Sequence, residues 1–325
     1  MKLIVQIPCF NEEKTLPVTI ADIPKKIEGI DEIEIVVIDD GSTDRTAEVA
    51  RELGVKHIIR FNKRKGLAEG FMVGLDACLK LGADIIVNTD GDNQYKGEDI
   101  AKLVKPILEK KADMVVGDRE INKLERFSTS KKLLQKAGSW VVRQLSGTDI
   151  PDTTSGFRAY NRDAVMKLNL LSTFTYTLET IIQAGKKNMA IKHVPIGTNP
   201  DLRESRLFSS TWSYIKKSVA TIFRIYSIYE PLKVFSYIGG TVFFIGFVLM
   251  ARFLYFYFFD IRPFGHLQSL ILASVLLIIG FMIMIIGLIA DLISANQRLI
   301  EDALFRIKKI ELSIGKDDNN QSKSE

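Results

Sequence analysis

Two apolar runs towards the carboxyl end constrain this chain more than any other feature: Val234 to about Phe259, and Leu267 to Ala290, with a polar break holding Asp260, Arg262 and Pro263 between them. Each exceeds the roughly 20 residues that cross a ~30 Å hydrocarbon core at ~1.5 Å per residue. A buried hairpin in a soluble protein is the competing explanation, but helices of that kind carry a polar face and these do not. The one clear interior charge, Arg252, lies near the end of its run and can snorkel to the interface. Ahead of Pro231 the composition changes: residues 1–232 mix charged and apolar residues as a soluble α/β protein does. The main domain boundary is therefore expected near Pro231.

The flanks of the two runs set an orientation. Arg203, Arg206, Lys216, Lys217, Arg224 and Lys233 precede the first, and Arg298, Arg306, Lys308 and Lys309 follow the second, whereas the connecting loop offers only Arg262. The positive-inside rule then predicts an integral protein of the cytoplasmic membrane, with both termini and the front domain cytosolic. These juxtamembrane residues account for most of the net charge of +5, so no nucleic-acid partner is needed, and a basic surface facing the bilayer suits anionic lipid. The front domain opens on an apparent strand, Leu3-Ile4-Val5, without the pattern of a cleavable signal, and nothing is expected to export it. Cys9 and Cys78 fall outside metal-type spacing and read as reduced core thiols.

Short β-rich runs alternate with helical patterns through the first half. Strands are predicted at 2–7, 33–38, 57–60, 84–88 and 113–116, and helices from Thr15, over 43–53, over 66–81 and over 97–110. This βαβα rhythm predicts a mainly parallel sheet covered on both faces, with ligands bound beyond the carboxyl ends of the strands. Farther on, the segment from Ser209 to Tyr229 interleaves Trp212, Tyr214, Phe223, Tyr226 and Tyr229 with Lys216, Lys217 and Arg224. That pattern suits an amphipathic helix in the membrane interface or one packed on the front domain. Beyond the second apolar run, Ile300, Ala303, Ile307, Ile310 and Ile314 form a short heptad-like seam, which suits a homo-oligomer contact or a face that packs on the chain's own domain. The polar residues from Lys316 to Glu325 are expected to be disordered.

Chemistry concentrates where the strands are predicted to end. The first runs into Pro8-Cys9-Phe10-Asn11-Glu12 and the second into Asp39-Asp40-Gly41-Ser42-Thr43. Asp-Gly-Ser-Thr is by itself a turn with a helix cap, yet two adjacent carboxylates at a strand mouth can also accept hydrogen bonds from a base or ribose. The fourth strand ends in Asp90-Gly91-Asp92-Asn93-Gln94. Asp-x-Asp projects two hard oxygen ligands in one direction, which suits magnesium or manganese bridging a diphosphate. Neither a dinucleotide-type glycine fingerprint nor a P-loop is present. His57, His193 and His266 do not fall into a nucleophile–base arrangement, so hydrolase readings fall away.

These residues resemble the inverting glycosyltransferases of family 2, and most closely the dolichyl-phosphate mannose synthase-like branch that glycosylates polyprenyl phosphates. Pro8 with Asn11-Glu12, Asp39-Asp40-Gly41-Ser42, Gly66-Leu67-Ala68, Asp90-Gly91-Asp92 with Gln94, Gly117-Asp118-Arg119 and Ser155-Gly156-Phe157-Arg158 occur in the family's order, over about residues 1–230. The resemblance implies an α/β chain with a GT-A (Rossmann-like), mainly parallel sheet domain over 1–208; composition and charge add interfacial helices over 209–232, a two-helix transmembrane hairpin within 233–295 and a cytosolic C-terminal helix with its tail over 296–325. It implies that Pro8, Asn11, Glu12, Asp39, Asp40, Gly66 and Asp90 hold a UDP- or GDP-linked sugar, and that Asp90, Asp92 and Gln94 gather Mg2+ or Mn2+ with the donor diphosphate. Arg119 and Arg158 are expected to face the lipid phosphate or the leaving diphosphate and Ser155, Arg203 and Arg206 the lipid phosphate, with Asp92, Arg119, Arg158 and Asp152 as the catalytic set and Asp152 as an acceptor-orienting group or base. Relatives often carry Lys where Arg206 stands. Guanidinium groups suit phosphate because they grip two oxygens in parallel.

A processive polysaccharide synthase shares the Asp-x-Asp core but carries Gln-x-x-Arg-Trp, whereas Trp140 and Trp212 here follow Ser139 and Thr211. A non-catalytic membrane scaffold with a decayed site is the other rival, and both aspartates of the metal motif are intact.

Overall fold

The computed structural model describes residues 1–120, 129–170, 175–200, 211–259 and 267–321. It divides into two compact units, one of residues Met1–Ile222 with Leu304–Glu325 and the other of Phe223–Ala303.

The first unit is built on a seven-stranded sheet in the order β3-β2-β1-β4-β6-β5-β7. Its strands are β1 (Lys2–Cys9), β2 (Glu32–Asp39), β3 (His57–Arg60), β4 (Ile85–Asn88), β5 (Met114–Asp118), β6 (Arg158–Asn161) and β7 (Ile191–Pro195). Between them run α1 (Leu16–Asp22), α2 (Thr46–Glu52), α3 (Leu67–Lys80), α4 (Ile100–Leu108), α5 (Thr129–Ser146), α6 (Arg162–Lys167) and α7 (Thr177–Lys186). The central strands are buried on both faces, which is why they read as apolar runs. Side chains alternate across the sheet. Leu3, Val5 and Ile7 of β1 join α1, α2 and α4 in one core, while Gly74 of α3 lies against Gln6 and Ile38 on the opposite face.

All strand pairs are parallel except those of β6, which runs antiparallel to both β4 and β5. The periodicity did not announce this strand, because it is the four-residue Arg-Ala-Tyr-Asn and begins on a buried charge. Its reversal has a consequence for chemistry. Arg158 pairs with Asn88 at the carboxyl end of β4, so the preceding Ser155-Gly156-Phe157 turn is delivered to the edge where the parallel strands end.

In the second unit, α9 (Pro231–Phe259) and the first part of α10 (Leu267–Gln321) are long and apolar enough to cross a membrane. Only 17% of each apolar window is buried, so a soluble-core hairpin would leave most of this surface in water. The helices meet backbone to backbone. A Cβ on Gly239 would stand 2.7 Å from the Gly280 carbonyl oxygen, and one on Gly280 would stand 2.5 Å from the Phe243 nitrogen, the close approach that small residues allow between membrane helices. Pro231 cannot continue the hydrogen-bond ladder of α8 (Thr211–Tyr229). The carbonyls of Ile228 and Tyr229 accept instead from Ser294 Oγ at 2.7 Å and Arg298 Nη2 at 3.0 Å.

Two expectations change here. The second apolar run was expected to stop near Ala290 with a separate helix from 296, and the tail from Lys316 to be disordered. A single 55-residue helix instead continues to Gln321. Residues 291–314 contain neither Pro nor Gly, so polarity changes along the helix without a stop signal. Of the proposed seam, Ile300, Ile307, Ile310 and Ile314 are all exposed.

Candidate active site

In register, Cys9 lies opposite Asp39, Asp39 opposite Arg60, and Gln6 opposite Asn88, so the loops after β1, β2, β3 and β4 emerge along one edge. The first three knit into one wall. Asn11 N–H donates to Ser42 Oγ at 2.9 Å, Thr43 N–H donates back to Asn11 Oδ1 at 2.8 Å, and Glu12 N–H donates to Thr46 Oγ1 at 2.8 Å. Thr15 donates to the buried Glu12 carboxylate at 2.6 Å. The Asp40 carboxylate accepts from the backbone N–H groups of Lys65 and Gly66 at 2.7 and 3.0 Å, which closes the β2 loop onto the β3 loop. Gly41 sits at φ 71° with its Cβ direction 2.7 Å from the Lys63 carbonyl carbon, so this turn requires glycine. Pro8, Asn11, Glu12, Asp40 and Gly66 are thereby brought together.

Asp39 does not join them as an accessible group. It is wholly buried, with one oxygen accepting from Ser42 N–H at 2.8 Å and the other 3.2 Å from Arg60 Nε. Asp39 is the last residue of β2, and Asp40, the first of the loop beyond it, is 7% exposed. Two residues of this wall were missed in the sequence: the Arg64 guanidinium lies 4.2 Å over the Phe10 ring. The basic run Lys63-Arg64-Lys65 before Gly66 was the available signal.

The loop after β4 rests against that wall. Gly91 lies so close to Cys9 and Glu12 that a Cβ would stand 3.0 Å from Cys9 Sγ, and its carbonyl accepts from Thr19 Oγ1 at 3.1 Å. Asp90, Asp92 and Gln94 are half-buried, and Gln94 N–H donates to Asp92 Oδ1 at 3.2 Å. Among the described residues no group of three or more His, Cys, Asp or Glu could hold a metal. Two carboxylates and an amide nevertheless fit an ion that brings its remaining oxygen ligands on a diphosphate, as Mg2+ commonly does.

On the opposite rim, at the end of β5, Arg119 is almost buried and gripped by Asp152, with Nε–Oδ2 at 2.7 Å and Nη2–Oδ1 at 3.0 Å. Its Nη2 also donates to Thr154 Oγ1 at 2.8 Å and its Nη1 to Gln94 Oε1 at 3.5 Å. Burial pushes the Asp152 carboxyl up, but the Arg119 guanidinium outweighs it and holds the group below its ordinary range. Asp152 thus braces Arg119 as its counter-ion. Arg158 lies beneath the rim. It is fully buried, donating to Ser155 O at 2.7 Å, Thr153 O at 2.9 Å and Thr180 Oγ1 at 2.5 Å, so it shapes the 153–155 loop from beneath. Ser155 is buried as well. Arg203 and Arg206 lie outside the described residues. Cys9 and Cys78 are buried, unpaired thiols, and burial raises the pKa of both.

Residues 4–168, just over half of the chain, match the profile described as Glycosyl transferase family 2. The chain belongs to this family. Among curated relatives, the transferase is 30% identical to UDP-N-acetylglucosamine–dolichyl-phosphate N-acetylglucosaminyltransferase of Methanococcus voltae, over 59% of this chain and 83% of that protein. It is 26% identical to undecaprenyl-phosphate mannosyltransferase of Micrococcus luteus, over 64% and 88% respectively. Its fold is GT-A. Glucosyl-3-phosphoglycerate synthase of Mycobacterium tuberculosis, solved with Mn2+, UDP and glucosyl-3-phosphoglycerate, superposes with a TM-score of 0.54 at 19% identity, covering 70% of this chain and 79% of that one.

Proposed function

We propose that this transferase moves a sugar from a UDP- or GDP-sugar to the phosphate of a membrane polyprenyl phosphate, with inversion at the anomeric carbon. The observation that carries the reading is the contact between the two rims: Gln94, in the loop of the metal-type carboxylates, accepts from Arg119, the guanidinium braced by Asp152. A donor diphosphate at Asp90 and Asp92 and an acceptor phosphate at Arg119 would then meet within one loop cluster. The two named relatives differ in sugar but share a polyprenyl-phosphate acceptor, and this chain carries two membrane-length helices of its own.

The nucleoside occupies the wall made by Pro8, Asn11, Glu12 and the Asp40–Gly66 clasp. Asp90, Asp92 and Gln94 hold Mg2+ or Mn2+, which when bound neutralises charge on the departing nucleoside diphosphate. Arg119, held rigid by Asp152 and Thr154, orients the acceptor phosphate, aided by Arg203 and Arg206. A phosphate oxygen forms the new bond to the anomeric carbon while the bond from that carbon to the diphosphate breaks on the opposite face. A phosphate monoester with a second pKa of about 6 is already largely dianionic at neutral pH, so no strong base is required. The catalytic domain and both termini lie on the cytosolic side, where nucleotide-sugars are made.

The test is transfer of label from a panel of radiolabelled UDP- and GDP-sugars to undecaprenyl and dolichyl phosphate in detergent, with Mg2+, Mn2+ or chelator. Label from one donor should enter the lipid fraction only with metal. If no donor labels either lipid while the protein binds nucleotide and metal, the acceptor assignment is overturned.

A further inference from the structure

Beneath the Asp90–Asp92 loop lies a buried polar chain that the reaction as described does not use. Gln6 Nε2 donates to Asn88 Oδ1 at 2.9 Å, and Asn88 Nδ2 donates to the Gly156 carbonyl and to the Tyr176 hydroxyl, each at 2.9 Å. Gly156 N–H donates to the Tyr95 hydroxyl at 3.0 Å. A Cβ built on Gly156 would stand 2.7 Å from Tyr176 Oη and 3.0 and 3.1 Å from the two Asp90 carboxylate oxygens, so hydroxyl and carboxylate converge on the space a glycine leaves open. Each ring is fixed by stacking, Tyr176 on Phe71 at 4.0 Å and Tyr95 on Phe157 at 5.0 Å. Tyr176 Oη accepts from Asn88 Nδ2 and donates to the Gly156 carbonyl at 3.3 Å, which ties the ring to the glycine backbone that faces Asp90.

We propose that Tyr176 is a positioning residue for Asp90: with the side-chain-free Gly156 it forms a seat that fixes the carboxylate for the donor's divalent metal. This rests on the reading of Asp90 and Asp92 as metal ligands. Groups that hold a ligating carboxylate typically contribute 10–100-fold to metal affinity. Tyr176→Phe keeps the stack on Phe71 and removes only the hydroxyl, whereas Gly156→Ala puts a methyl against both Asp90 oxygens.

The experiment titrates Mn2+ into the full chain in detergent, followed by electron paramagnetic resonance, with saturating UDP and separately GDP. Tyr176→Phe should weaken Mn2+ about tenfold or more, Gly156→Ala at least as much, with metal-free nucleotide affinity unchanged within about twofold for both. A purely structural tyrosine would lower the melting temperature and leave Mn2+ affinity in place, and that result overturns the proposal while the transfer reading stands. If the wild-type chain binds no Mn2+ with either nucleotide, the metal reading falls and the positioning role falls with it.

Discussion

Two pairs of aspartates end two parallel strands of the same sheet, with β1 between them, and they have opposite fates. Asp39 and Asp40 are 0% and 7% exposed and are committed to Ser42, Arg60, Lys65 and Gly66, whereas Asp90 and Asp92 stay half-buried at the rim. Their places in the chain account for the difference. Asp39 is the last residue of β2 and Asp40 begins a loop closed onto Lys65 and Gly66, whereas β4 ends at Asn88 and both Asp90 and Asp92 lie in the loop beyond it. The first pair builds the pocket and the second is left to meet a ligand. Substitutions should therefore separate stability from turnover.

The largest effect belongs to Asp92→Ala. It should lower kcat about 1,000-fold, the scale of losing a group that stabilises transition-state charge, and leave the melting temperature almost unchanged. A variant that unfolds instead would place Asp92 with Asp39 as a builder and break the comparison. Next is Asp152→Asn, which leaves Arg119 buried without its counter-charge and should cost about 3 kcal/mol at pH 7, read from urea unfolding. The Asp152 pKa is depressed in the folded state, so its contribution is complete above the ordinary carboxyl value of about 3.9 and is lost as pH falls through the lower folded value. The gap between wild type and Asp152→Asn should accordingly begin to narrow below about pH 4 and close as pH falls through the folded value. A gap that does not narrow with acid would mean that the pair is not ionic. Asp39→Ala comes third, at about 2 kcal/mol, because Arg60 is exposed enough to rehydrate while Ser42 N–H loses a buried acceptor. Loss of turnover without loss of stability in this variant would show that Asp39 touches the donor after all.

The sequence already carried the strand-end carboxylates and the five strands from β1 to β5, because buried parallel strands read as apolar runs and ligands gather where they end. It did not carry β6, whose pairing partners lie far away in the chain. The same non-locality hid the role of Arg158. An arginine in a Ser-Gly-Phe-Arg motif reads as a phosphate ligand until tertiary packing supplies Thr153, Ser155 and Thr180 as acceptors. Tyr176 meets Asn88 across 88 residues, with no local pattern to mark it. Polar Gln6 and Asn88 inside apolar strands were a signal of a buried network, though not of its partners.

The smallest effect probes the joint that lets the first pair build its wall. Asn11 stands at φ 57°, in the left-handed region, and its Oδ1 accepts from Thr43 N–H while its own N–H donates to Ser42 Oγ. Asn11→Gly removes the side-chain bond but suits the backbone, so it should cost about 0.5–1 kcal/mol in urea unfolding. Asn11→Ala removes the same bond and forces a Cβ into the left-handed region, which adds about 1 kcal/mol. Because the two variants lose the same bond, their difference isolates the backbone contribution. If alanine and glycine cost the same, the loop relaxes out of its left-handed turn without penalty.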